Sequence, residues 1–229
     1  MTNSLNEKYR YVWLLACLCL YMFNPIYKEL TLPGHKYTSS LLYACIVFTA
    51  LRSCFENKKL FFWMLSLALP ALLAHWAKAA NIYDSVTLIM CTSVLFNISF
   101  IAIITKEMLQ FNCSIHNRLA ASLCNYLFIG ITFGYVYTMI EMVHPGSFNF
   151  PVEMATTKDM LAFGNLLNTM NYHSFVTLAT LGYGEIHPLT AMSRCACVIE
   201  ALIGQIYLVV VVTSVVGGNI TQVFHKDPK

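Results

Sequence analysis

The chain has 229 residues, of which 58% are hydrophobic and only 11% charged, too apolar for a soluble domain of this size, so several membrane spans are the alternative. A net charge of +3, dispersed and without a Lys/Arg cluster, excludes a nucleic-acid surface. Nine cysteines are an odd count, mostly within apolar stretches. The C-x-C pairs Cys17/Cys19 and Cys195/Cys197 would point to nearly opposite sides of a helix, so small buried thiols are expected rather than a zinc site.

Taken in order, apolar segments long enough to span a bilayer run from about Tyr11 to Tyr27 (interrupted by Pro25), Ser39 to Phe55, Leu60 to Ala80, Ile82 to Thr105, Leu119 to Glu141 and Ala191 to Gly218. The first lacks a small-residue cleavage pattern and is read as a span, not a signal peptide. Six spans leave both termini on one side. With the termini inside, nine basic residues fall on inner segments and five on outer ones, the bias of a multi-pass plasma-membrane protein. A voltage sensor needs repeated Arg or Lys in its fourth span, and none lies between Asp84 and Lys106. Asn97 and the hydroxyls of that span read as helix-packing groups, and His75 and Lys78 as snorkelling near an outer membrane edge. Eleven residues after Gly218 are too few for a regulatory domain. Residues 1–118 therefore read as a four-helix membrane domain, and 119–229 as a second domain.

That second domain is organised around Thr180-Leu181-Gly182-Tyr183-Gly184. Two glycines flanking an aromatic suit a backbone that turns successive carbonyls to one side, because glycine takes left-handed angles freely. A ring of such carbonyls from four chains can replace the water shell of K⁺. The residues before it, from Leu166 to Ala179, read as a short helix entering the membrane from outside, after a loop punctuated by His144-Pro145-Gly146 and Phe150-Pro151. Its C-terminal carbonyls would lend partial negative charge where a cation must sit, and the Thr180 hydroxyl would add to the inner end.

The stretch resembles the T-V-G-Y-G signature of the tetrameric P-loop potassium channels, with Leu181 for the usual Val. Glu185, Pro188 and Thr190 extend it to G-Y-G-[D/E]-x-x-P-x-T, with Glu185 where the family usually has Asp. The likeness is specific from Tyr172 to Gly218 and is a matter of span count over the first 118 residues. It implies an all-α membrane protein of six transmembrane helices, one re-entrant pore helix and a filter loop, assembling as a fourfold pore. It further implies that Tyr183 packs outward against pore-helix aromatics, at positions held here by Tyr172 and His173; Ala179 replaces a common Thr. A ring of Glu185 carboxylates, beside His187, would concentrate cations at the outer mouth.

Gly204 falls at the family's hinge position in the inner helix; bending and close packing both account for a glycine there. Gln205, Leu208, Val212 and Val216 follow at spacings of three and four, one face of an α-helix, which would put Gln205 below the filter and the valines at a dry constriction. Glu200, the one carboxylate inside an apolar span, is expected to bond behind the pore helix, to a group such as His173 or Thr177, with gating or proton sensing as the sharper reading. Passive K⁺ conduction in a bilayer, by copies of one chain and without cofactor, is the expectation. A weakly selective cation channel and a K⁺ transporter subunit are the alternatives. A membrane enzyme using His75, His173, His187 and Glu200 is a third reading, and these groups lack metal-ligand spacing.

Overall fold

A computed structural model describes residues 10–29, 35–55, 57–79, 86–109, 115–151 and 163–213. Its helices are α1 (Arg10–Met22), α2 (Asn24–Glu29), α3 (His35–Ser53), α4 (Lys58–Ala79), α5 (Val86–Leu109), α6 (Ile115–Val143), α7 (Phe163–Leu178) and α8 (Ala191–Ile206). Two residue pairs form a short antiparallel bridge, β1 (Phe148–Asn149) with β2 (His187–Pro188). The chain divides into two compact units, residues 1–127 with 208–229, and residues 128–207.

Helices fall on all six apolar segments, and among the described residues four are long and apolar enough to cross a membrane: Lys58–Lys78, Val86–Met108, His116–Val143 and Ala191–Val209. At the first segment, α1 stops after 13 residues, and Pro25 sits in the first turn of the separate α2. Proline has no N–H to continue a helix and clashes with the carbonyl four residues back, so the chain breaks before it. At the second, α3 is 19 residues long and opens on the polar run His35-Lys36-Tyr37-Thr38-Ser39-Ser40.

In the first unit α1 packs on α3, α3 on α4, and α4 on α5. Several of its polar groups are paired across helices. The Asn117 side chain accepts the Tyr11 N–H at 3.3 Å, and Asn125 donates to Thr105 at 2.8 Å. His75 does not snorkel. Its ring lies 4.2 Å from that of Tyr43, and its Nε2 is 3.4 Å from the Ser93 hydroxyl, which is itself 3.3 Å from the Tyr43 hydroxyl. Asn97 is fully buried, as a helix-packing group would be, and its amide finds no hydrogen-bond partner among the described residues. The cysteines also depart from expectation: Cys54 and Cys124 are buried, whereas Cys19, Cys45, Cys91 and Cys195 lie on outer faces of the protomer. On a lipid-facing helix a thiol meets an apolar solvent, so burial in protein is not required of it.

The second unit is built on α7. Tyr137, Ile140, Phe148, Leu166, Met170 and Ile186 form its core, joining α6, the bridge strands and one flank of α7. Nine of the sixteen α7 residues are buried, a degree of cover that suits a short helix held by protein rather than by solvent.

Candidate functional site

Helix α7 ends in a Schellman turn that runs directly into residues 180–184. The Thr180 N–H donates to the Thr177 carbonyl at 3.0 Å, and the Leu181 N–H to the Val176 carbonyl at 2.9 Å. That pattern requires a left-handed residue just past the helix, usually glycine. Here it is Thr180, with φ 57°, an uncommon conformation for a β-branched residue. Gly182 (φ 60°) and Gly184 (φ 81°) repeat the left-handed conformation at every second position. A side chain at either glycine would meet nothing within 4 Å, so it is backbone angle, not space, that calls for glycine there. Thr180, Leu181, Gly182, Tyr183 and Gly184 are all exposed in the protomer.

The seat of α7 is cut by three glycines. A Cβ on Gly134 would lie 1.9 Å from Asn171 Oδ1, and one on Gly130 would lie 2.5 Å from the Phe175 ring. On the opposite side, a Cβ on Gly204 would lie 2.8 Å from Leu178 Cδ1 and 3.1 Å from the Leu178 carbonyl oxygen. Gly204 therefore serves close packing against the end of α7. Gly130 and Gly134 stand in a G-x-x-x-G spacing, a signal for close helix approach that was available in the sequence. The helix departs from α geometry three residues after Gly204, in a π-helical stretch Tyr207–Val212. Gln205 and Leu208 are exposed, but the wider turn breaks the regular three-and-four spacing on which a common face with Val212 rested. The Val212 side chain and all of Val216 lie outside the described residues.

Behind α7, Glu200 is fully buried and accepts hydrogen bonds from the Tyr137 hydroxyl on α6 and the Ser174 hydroxyl on α7. Ser174 also lies 2.7 Å from the Gly130 carbonyl. The expected partners, His173 and Thr177, are not the ones the carboxylate uses. His173 turns into a ring cluster with Tyr137 and Phe148, and its Nε2 lies 3.5 Å from Cys197 Sγ. Thr177 contributes its carbonyl to the turn at Thr180. Of the two aromatic positions expected to back Tyr183, Tyr172 turns toward the loop that follows residues 180–184, where its hydroxyl donates to Glu185. Tyr183 is 68% exposed.

The loops on either side of residues 180–184 are braced by groups that sequence reasoning missed. The buried Glu141 carboxylate accepts the N–H groups of Gly146 at 2.8 Å and Phe148 at 2.9 Å, fixing the turn that leads to β1. The Ser147 carbonyl then accepts the Leu189 N–H at 2.8 Å and the Ser193 hydroxyl at 2.9 Å. Thr190 is the N-cap of α8 and forms a capping box with Ser193, which is the physical reason for a Thr at that place in the pattern. His187 Nδ1 lies 3.3 Å from the Gly184 carbonyl oxygen, and its Nε2 lies 3.5 Å from Asn149 Nδ2. A carbonyl only accepts, so this geometry calls for the Nδ1–H tautomer. His173, His187 and Glu200 thus belong to three separate sets of contacts. Among the described residues no three His, Cys, Asp or Glu side chains converge as metal ligands.

Residues 123–218 match a family model described as an ion channel. The match supports an ion channel. With four helices apolar enough to cross a bilayer, it describes an all-α, multi-pass membrane protein. No curated protein and no solved structure matches the chain.

Proposed function

We propose that the protein is a passive, K⁺-selective channel whose filter is Thr180 to Gly184, contributed by four copies around one pore. The observation that carries the reading is the left-handed backbone at Thr180, Gly182 and Gly184, alternating with Leu181 and Tyr183 at the end of a short, protein-covered helix. Alternation of this kind turns successive carbonyls toward a common side, where they can stand in for the hydration shell of a monovalent cation. One chain carries one such strand, so closing a ring takes further copies. Exposure of all five residues in a single protomer agrees with that arrangement. Six spans, an α7 that re-enters from the outer face, termini on the inner side and conduction without a catalytic step belong to the same proposal.

Reversal potentials of the purified protein in planar bilayers, under opposed K⁺ and Na⁺ gradients, test it. The expected result is a potential that follows the K⁺ gradient, with selectivity or conduction lost in Gly182→Ala, which cannot hold φ 60° without strain. A wild-type potential midway between the two gradients would establish a weakly selective cation channel instead. Absence of current without an energy source would point to a transporter subunit.

A further inference from the structure

We infer that a cavity in the first unit binds the phosphate of an acidic phospholipid headgroup. It has a volume of about 420 Å³ and lies where three helix ends meet: Arg10 at the start of α1, the turn from Ser53 to Leu60 between α3 and α4, and Ala102 to Glu107 at the end of α5. Its wall is built rather than incidental. The Arg10 guanidinium donates to the Ser53 carbonyl, lies 3.6 Å from one Glu107 oxygen and sits 5.7 Å from the centre of the Tyr11 ring. The Tyr11 hydroxyl donates to the other Glu107 oxygen, so the carboxylate is held by α1 from both sides.

Lys106 adds a second cation to the same wall, so the described lining residues carry two cations and one carboxylate. Asn57 spends its Oδ1 on the N–H groups of Lys59 and Leu60 at the start of α4, at 3.2 and 3.4 Å, which leaves it a donor to offer a ligand. The positive end of the 22-residue α4 points to the same place. Leu60, Ala102 and Ile103 give the cavity an apolar side. Excess positive charge, donors and an apolar side at a membrane end fit an acceptor-only phosphate attached to a glycerol, and the bilayer supplies that chemistry at high local concentration. Inorganic phosphate shares the anion and lacks the apolar part. The inference rests on the chain lying in a membrane and not on which ion it conducts, so its test reads stability rather than current.

The test is thermal unfolding of the delipidated full chain in neutral detergent, titrated with short-chain phosphatidylglycerol, short-chain phosphatidylcholine or inorganic phosphate. Phosphatidylglycerol is expected to raise the midpoint, with little change from the other two. Lys106→Gln should weaken the apparent affinity about fivefold, the effect of one basic group near an anionic headgroup, and Lys106→Arg should restore it. Lys59→Gln removes an exposed charge outside the cavity wall and should change the affinity less than about twofold. Equal protection by phosphatidylcholine would overturn the inference. So would equal protection by inorganic phosphate, or an equal loss in Lys59→Gln and Lys106→Gln, which would signal diffuse surface attraction.

Discussion

Glu200 illustrates how one side chain can hold three helices. Its two oxygens take hydroxyl protons from Tyr137 and Ser174; truncation removes the Tyr137 acceptor in a place that water does not reach, whereas Ser174 keeps the Gly130 carbonyl at 2.7 Å. A stranded group costs about 1–3 kcal/mol. Glu200→Ala should therefore lower the thermal midpoint markedly, whereas Glu200→Gln, which keeps an acceptor oxygen, should lose less than half as much. Equal losses in a thermal unfolding series would mean that the carboxylate's charge, rather than its acceptors, is what matters. None of this pairing could be read from the sequence, because the partners lie 63 and 26 residues away and an isolated Glu in an apolar run names no acceptor geometry. Residues 180–184, the proposed filter, were legible for the opposite reason. Their demand is local, in backbone angles that only glycine adopts freely, and it is written in five adjacent positions.

At the scale of the element, α7 is fixed by what its neighbours lack. Gly204→Ala would press a methyl toward the Leu178 carbonyl, a contact with a backbone atom that a side-chain rotation cannot relieve. Such overpacking costs about 1–3 kcal/mol. Lower thermal stability together with altered filter selectivity is expected; unchanged stability with slowed opening would restore the hinge reading. The family resemblance pointed to Gly204, at the hinge position of the inner helix, but not to its role, since a glycine that bends and a glycine that admits a neighbour look alike in sequence. The π-helical stretch after it was hidden for a related reason, as Tyr207–Val212 carries no proline or glycine to mark a change of pitch. Glu141 works on the loop in the same structural sense. Glu141→Ala should free the N–H groups of Gly146 and Phe148, and hydrogen exchange at those two amides is expected to rise while that of α6 is unchanged. Protection that persisted would show that the β1–β2 bridge alone holds the turn.

For the whole molecule, the consequential fact is a charge that is missing from α5. Moving one charge through the membrane field is worth about 2.3 kcal/mol per 100 mV, and steep voltage dependence needs several charges in each subunit. No Arg or Lys lies between Asp84 and Lys106, so open probability should change only shallowly with voltage. Steep activation accompanied by measurable gating charge in bilayer recordings would sink that expectation. The broad class was legible because composition and apolar run length act on the chain as a whole. Span boundaries were less so: Pro25 cut the first segment short, and the polar start of α3 dilutes the apolar character of the second.

The seat of α7 also sets an order of events in biogenesis. Gly130, Gly134 and Tyr137 precede α7 in the chain, but Glu200 and Gly204 follow it. A nascent chain that has emerged only as far as Gly184 already contains the whole of the proposed filter, yet its Tyr137 and Ser174 hydroxyls still lack the Glu200 carboxylate. Residues 180–184 are thus translated before they can be shaped. Until α8 arrives α7 lacks these partners, so ribosome-stalled chains in which Glu200 has or has not emerged should differ in protease resistance at the loop following α6.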